Sequence, residues 1–204
     1  YWDEEDDWLK SLDKQIEILK FFAAEGIGAL VEPSATAEVV RVGGFYDHLW
    51  QPTFPGFVIA REQYGRIVRM LDLKQPVTLS LSLTASFVDK ADGFNVIAEI
   101  PGADPSLAAE VVMLGGHFDS WHTGTGATDN GAGSAVAMEA VRILTAIGAK
   151  PKRTIRLGLW TGEEQDYFGS MGYVMQHFGD PKTMALKAEH KTLSAYFNLD
   201  NGAG

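Results

Sequence analysis

The sequence predicts an α/β fold built on a mostly parallel sheet. Three observations predict it. From residue 110 onward, strand-like and helix-like segments alternate: 110–116, 131–149, 153–161, 168–178 and 193–200. Those strands are short continuous apolar runs such as "EVVMLGG" and "RTIRLGLWT", the pattern of strands covered on both faces. Histidine and acidic residues gather where these strands end, the place where open α/β sheets carry their sites.

The elements follow in order. Residues 3–24 read as a helix, with Trp8, Leu12, Ile16 and Leu19 at three- and four-residue steps. The acidic cluster Asp3–Asp7 lies at its N-terminal end, where the helix dipole favours negative charge. "GIGALVEPS" (26–34) reads as a short buried strand, and residues 39–57 are turn-rich and aromatic. Residues 60–73 have helical spacing in Tyr64, Val68 and Leu71, and Pro76 breaks the pattern. "VTLSLSLTASF" (77–87) alternates apolar and polar residues and reads as a strand with one buried face. With "FNVIAEI" (94–100) it predicts an antiparallel hairpin. The helix over 131–149 should turn Val136, Ala140, Ile143, Leu144 and Ile147 inward and end at Gly148.

Composition narrows the function. A formal charge of −10 argues against nucleic acid, which needs a basic footprint. Hydrophobic residues make up 46%, yet no apolar run is long enough to span a bilayer. The opening "YWDEEDDW" has no initiator Met and no signal-peptide pattern, and reads as the interior of something longer. There is no cysteine, so any metal must use His and carboxylate ligands.

Those ligands are present. His117 follows the run 110–116, Glu163 and Glu164 follow 153–161, the run 193–199 ends on Asp200, and Asp129 opens the helix at 131. Neighbouring strands lie about 4.8 Å apart, so these side chains can meet at one point. His and carboxylate donors suit a catalytic zinc site, and their surplus suggests two ions. Asp129, at a helix N-terminus, is the natural bridge between such ions. One of Glu163 and Glu164 can be a ligand while the other takes a proton. Asp119 can accept the other ring N–H of His117 and fix its tautomer.

Other matches are poorer. "GTGATD" (124–129) lacks the third glycine of a dinucleotide fingerprint, and "FGSMG" (168–172) lacks the first glycine of a nucleophile elbow. His48, His177 and His190 read as loop or surface histidines, and His122 as a neighbour of the site rather than a ligand.

"GGHFDSW", "GATDNGAG", "LWTGEEQ" and "NLDNGAG" resemble the co-catalytic zinc aminopeptidases and carboxypeptidases, the family of bacterial leucyl aminopeptidases and glutamate carboxypeptidases. "GHFDSW" with "PKRTIRLGLWTGEEQ" looks most like its plasma glutamate carboxypeptidase branch. The resemblance covers about 94–204. "GIGALVEPS" and "FPGFVIAREQYGRIVRML" are similar to the later part of a protease-associated domain. The implied organisation is a partial protease-associated domain over 1–75 and the N-terminal part of a zinc-peptidase domain over 76–204.

The resemblance implies an exopeptidase acting on a peptide or dipeptide near a chain terminus. It implies two zinc ions: His117 and Asp200 on one, Glu164 on the other, Asp129 bridging, Glu163 as general base and Asp119 orienting His117. It also implies a cis peptide bond at Asp129–Asn130, and a final histidine ligand that lies beyond residue 204. An extracytoplasmic location is expected by resemblance alone, and a homodimer is the assembly the reading allows. Two rivals share the site pattern. Glutaminyl cyclases are acyltransferases with one zinc, and transferrin-receptor-like members are binding modules that have lost ligands. Here every ligand position up to residue 204 is filled.

Overall fold

The computed structural model describes residues 14, 16–39, 55–84, 86, 92–121 and 124–200. Trp8, Leu12, His48, His122 and most of the segment 39–57 lie outside the described residues. The chain divides into two compact units, residues 1–87 and 88–204.

In the first unit, residues 16–24 are helical (α1) and bury Ile16 and Leu19. Strands β1 (Leu30–Pro33) and β2 (Gly56–Ile59) pair in parallel, and helix α2 (Arg61–Asp72) follows. Buried Ser34 joins strand to helix: its Oγ accepts the Arg61 N–H at 3.2 Å. The inward side of α2 is Tyr64, Ile67 and Met70, whereas Val68 and Leu71 are exposed.

Among its described residues, the strand expected over 77–87 does not form. Residues 77–84 and 86 have no regular structure, and Leu79, Leu81 and Leu83 are exposed. Alternation specifies which face a strand would bury, but it supplies no backbone partner. The expected hairpin is absent for the same reason: β3 (Val96–Ile100) takes β5 (Thr154–Trp160) as its antiparallel neighbour.

The second unit holds a four-stranded mixed sheet in the order β3-β5-β4-β8. Strand β4 (Val111–His117) is central, with β5 and β8 (Leu193–Asn198) parallel on either side. Two short strands, β6 (Gly179–Asp180) and β7 (Ala185–Leu186), form a separate antiparallel pair. The sheet is therefore mixed rather than parallel throughout, with its parallel part where the predicted site residues lie.

Helices pack on the sheet through two apolar clusters. Helix α3 (Gly133–Ala146) sets Ala137 and Val141 against Leu114, Leu157 and Leu159. Helix α4 (Phe168–His177) sets Tyr173 with Val111, Met113, Trp160 and Phe178. Burying each of the large side chains contributes about 1.5–3 kcal/mol. Gly158 leaves room for the Trp160 indole, because a Cβ there would stand 2.4 Å from the ring.

Helix α3 follows its expected phase in part: Ala140 and Leu144 are half-buried. Gly133, Ser134 and Ala137 are buried, while Val136, Ile143 and Ile147 are exposed. The contacts at its start set the phase: Ser134 Oγ donates to the His117 carbonyl at 2.7 Å. The helix ends as expected at Gly148, in the left-handed region at φ +65°.

Gly115 and Gly158 face each other in the β4–β5 register. A Cβ on Gly115 would lie 1.9 Å from the Gly158 carbonyl oxygen. Gly115→Ala should therefore cost about 1–3 kcal/mol, the usual range for overpacking. Chemical denaturation measures it, and an unchanged midpoint would mean that the strands can separate without penalty.

Candidate metal centre

The carboxyl ends of β4, β5 and β8 converge. His117 is the last residue of β4, and its side chain is almost wholly buried. Its Nδ1–H donates to the Asp119 carbonyl oxygen at 3.1 Å. That bond commits Nδ1 as the donor. In the neutral ring, Nε2 then presents its lone pair toward three carboxylates. Asp200 Oδ1 is 3.0 Å away, Asp129 Oδ1 3.1 Å and Glu163 Oε2 3.7 Å. Ligand atoms of His117, Asp129 and Glu164 lie within 4.8 Å of one another.

Two buried features place Asp129 and Asp200. Asn130 is fully buried, and its amide donates to the Leu199 carbonyl at 2.8 Å and accepts the Gly133 N–H at 3.1 Å. It ties the chain leaving β8 to the start of α3. Gly116 and Gly133 make the approach possible, since a Cβ on either would stand within 2.7 Å of the Leu199 oxygen. The peptide bond Asp129–Asn130 is cis, in the irregular turn Ala127–Ala132 that precedes α3.

Asp119 does more than the sequence suggested. Its backbone oxygen is the closer partner of His117 Nδ1, and its Oδ1 lies 3.4 Å from that nitrogen. The carboxylate also accepts two backbone N–H groups, Glu163 at 3.1 Å and Glu164 at 3.2 Å. It thereby links the end of β4 to the segment that carries both glutamates.

The charges are crowded and partly desolvated. Burial pushes Glu164 up, and the negative charges of Asp129 and Glu163 add to it, bringing its carboxyl to about 7. Glu163 is raised first by burial, then by Asp200, Asp119 and Asp129, with His117 opposing. Burial alone would lower His117, but Glu163, Asp200 and Asp119 outweigh it and hold the imidazole above its usual value.

A divalent cation fits these donors. Glu164 Oε1 is buried without a hydrogen-bond partner, which costs free energy unless a cation or other group satisfies it. The imidazole lone pair and the surrounding carboxylates are the donor types that zinc takes. Beside them lies a cavity of about 240 Å³, walled by Trp160, Tyr167, Ser170 and Tyr196.

The structure brings His117, Asp119, Asp129, Glu163, Glu164 and Asp200 together. His177 stands apart, with its Nδ1 3.0 Å from Glu189 and its ring against Tyr173, and His190 is exposed. Sequence reasoning missed the positioning roles of Asn130 and Ser134. The polar residue among glycines in "TDNGAGS" was the available signal for both.

Comparison with known proteins adds a family. The model of Peptidase family M28 matches residues 95–204. Carboxypeptidase Q of Bos taurus is 36% identical over 138 residues, covering 68% of this chain and 29% of that protein. Leupeptin-inactivating enzyme 1 of Streptomyces exfoliatus is 37% identical over 110 residues, covering 54% of this chain and 23% of that enzyme. A crystal structure of a Peptidase M28 precursor from Shewanella amazonensis superposes with a TM-score of 0.70 at 30% identity. It covers 89% of this chain and 39% of that one. The chain thus spans under a third of the curated relatives it matches.

The bonds of Asp119 generate a prediction. Asp119→Ala removes no donor from the His117–Asp129–Glu164 group, yet it frees the glutamate segment. Divalent-metal affinity should fall about 10–100-fold, the usual cost of losing a partner that orients ligands. Calorimetric titration measures it, and an unchanged affinity would make Asp119 an ordinary loop residue.

Proposed function

Because the chain belongs to peptidase family M28 over residues 95–204, we propose that it forms the core of a zinc-dependent exopeptidase centre. The observation that carries this reading is the buried, unpartnered Glu164 Oε1 beside the His117–Asp129–Glu164 group. His117 and Asp200 would hold one zinc, Glu164 the other, and Asp129 both. Zinc, when bound, supplies a Lewis acid that brings the pKa of water down to about 7 and polarises a carbonyl. Residues 1–75 would be part of a protease-associated domain and 76–204 part of the catalytic domain. Among the described residues, no helix is long and apolar enough to cross a membrane. An extracytoplasmic site of action, expected by resemblance alone, and a homodimer are part of the proposal.

Glu163 supplies the proton transfer. It reaches the same point as its neighbours, 3.7 Å from His117 Nε2, but takes no part in the tightest ligand group. A carboxylate raised by burial and by like charges is a stronger base than a solvated one. It accepts a proton from the attacking water and returns it to the leaving amine as the peptide bond breaks. His117, Asp129 and Asp200 stay fixed throughout, held by Ser134, Asn130 and Asp119.

Two measurements test this reading. In a protein of the relatives' full length that carries this segment, Glu163→Gln keeps the size of the side chain but loses the base. Turnover should fall about 10²–10⁴-fold with metal content unchanged. Near-normal turnover would remove Glu163 from the mechanism.

The second concerns metal stoichiometry. Among the described residues, His117 is the one imidazole at the centre. Two carboxylates without an imidazole make a poor zinc site. The 204-residue polypeptide should bind at most one zinc tightly and hydrolyse peptides negligibly. Two zinc ions per chain by elemental analysis, with chelator-sensitive turnover, would mean that His48 or His122 also serves as a ligand.

A further inference from the structure

We propose that Asn95 is a positioning residue for the Glu163–Glu164 pair, acting through a clasp on the stem of the loop that carries them. The proposal rests on the reading of these two glutamates as functional groups.

Residues 161–169 leave β5, present both glutamates and enter α4. The backbone there is unusual. Gly162 has φ +63°, and two residues with side chains, Asp166 and Tyr167, have φ +78° and +60°. Such conformations cost free energy, and they persist where surrounding structure fixes them.

The stem is closed by two backbone bonds, Gly169 N–H to Thr161 at 2.8 Å and Phe168 N–H to Gly162 at 3.0 Å. Asn95, just before β3, spans this closure. Its Oδ1 accepts the Thr161 N–H at 3.2 Å, and its Nδ2 donates to the Gly169 carbonyl at 2.8 Å. A primary amide carries an acceptor and a donor side by side, so one side chain serves both strands of the stem. Aspartate lacks the donor and leucine lacks both.

Gly169 supports the same reading independently. A Cβ there would stand 2.3 Å from Asn95 Oδ1 and 2.4 Å from the Thr161 oxygen. The glycine in "FGSMG" therefore reserves the space that the clasp occupies. At the crest, the Asp119 carboxylate holds the N–H groups of Glu163 and Glu164. The loop is pinned at its stem by Asn95 and at its crest by Asp119. Asn95 has no hydrogen bond to His117, Asp129, Glu164 or Asp200 themselves.

The test uses amide hydrogen exchange on the metal-free chain, followed by zinc titration. Asn95→Leu and Asn95→Asp are compared with Thr154→Val. The latter breaks bonds to Gly102 and Ala108 at the opposite end of β5 and serves as a control for general destabilisation. Asn95→Leu should speed exchange at the Glu163 and Glu164 amides about tenfold more than at β4 amides, the effect expected for lost hydrogen bonds. Asn95→Asp should do the same, and it carries the test if the leucine variant does not fold. Thr154→Val should leave the two glutamate amides no more affected than β4. Zinc affinity should fall about 10–100-fold in the Asn95 variants. Glutamate amides that respond to the Asn95 variants no more than to Thr154→Val would overturn the proposal. Exchange needs no metal, so failure of the unaltered chain to bind zinc would count against the metal reading and leave the clasp to be judged on exchange alone.

Discussion

The buried amide of Asn130 is the interaction on which the rest of the centre depends. It joins the Leu199 carbonyl at the end of β8 to the Gly133 N–H at the start of α3. A buried amide left unpaired costs about 1–3 kcal/mol, so both bonds are held firmly. Asp129 precedes Asn130, and Asp200 follows Leu199. Both carboxylates reach His117 Nε2, at 3.1 and 3.0 Å, because Asn130 fixes the two backbones next to each other. The site is thus set by main-chain positions, with His117 buried and the Asp129 and Asp200 carboxylates exposed beside it.

This explains why the glycines cluster there. Gly116 and Gly133 lie against the same Leu199 oxygen, and Gly115 lies against the Gly158 carbonyl. In each case the missing Cβ leaves space for another backbone. The motifs "GGHFDSW" and "GATDNGAG" therefore encode close approach as much as chemistry. Glycine weakens strands and helix starts by entropy, and the core on both faces of the sheet offsets that cost.

The parallel heart of the fold was legible because its signals are local and redundant. Continuous apolar runs mark β4 and β5; the first ends on His117, and the second is followed after Thr161 and Gly162 by Glu163 and Glu164. His117, Glu163, Glu164 and Asp200 could be placed at one sheet edge from that pattern alone. The strand expected over 77–87 shows the opposite case. Its alternation describes a surface that fits a sheet, but pairing is a property of two segments, and β3 pairs with β5. The phase of α3 was misread in part for a related reason. Val136 and Ile143 are large apolar residues of the helix, yet Ser134 and Gly133 face the sheet to meet His117 and Leu199. Contacts at the helix start fix the rotation, which carries Val136 and Ile143 outward and keeps Val141 against the sheet.

Asn95 and Asp119 belong to the same category of illegible residue. Nothing in "GFNVIAEI" says that its asparagine will face a loop 66 residues away. Asp119 was read from its distance to His117, and the partners it gains from Glu163 and Glu164 come only with the fold. Residues of metal-ligating type are visible in sequence because their chemistry is restrictive and they sit at strand ends. The residues that aim them use ordinary amide and carboxylate hydrogen bonds, which any surface Asn or Asp could make. Their role is defined by the backbone N–H and C=O groups they satisfy.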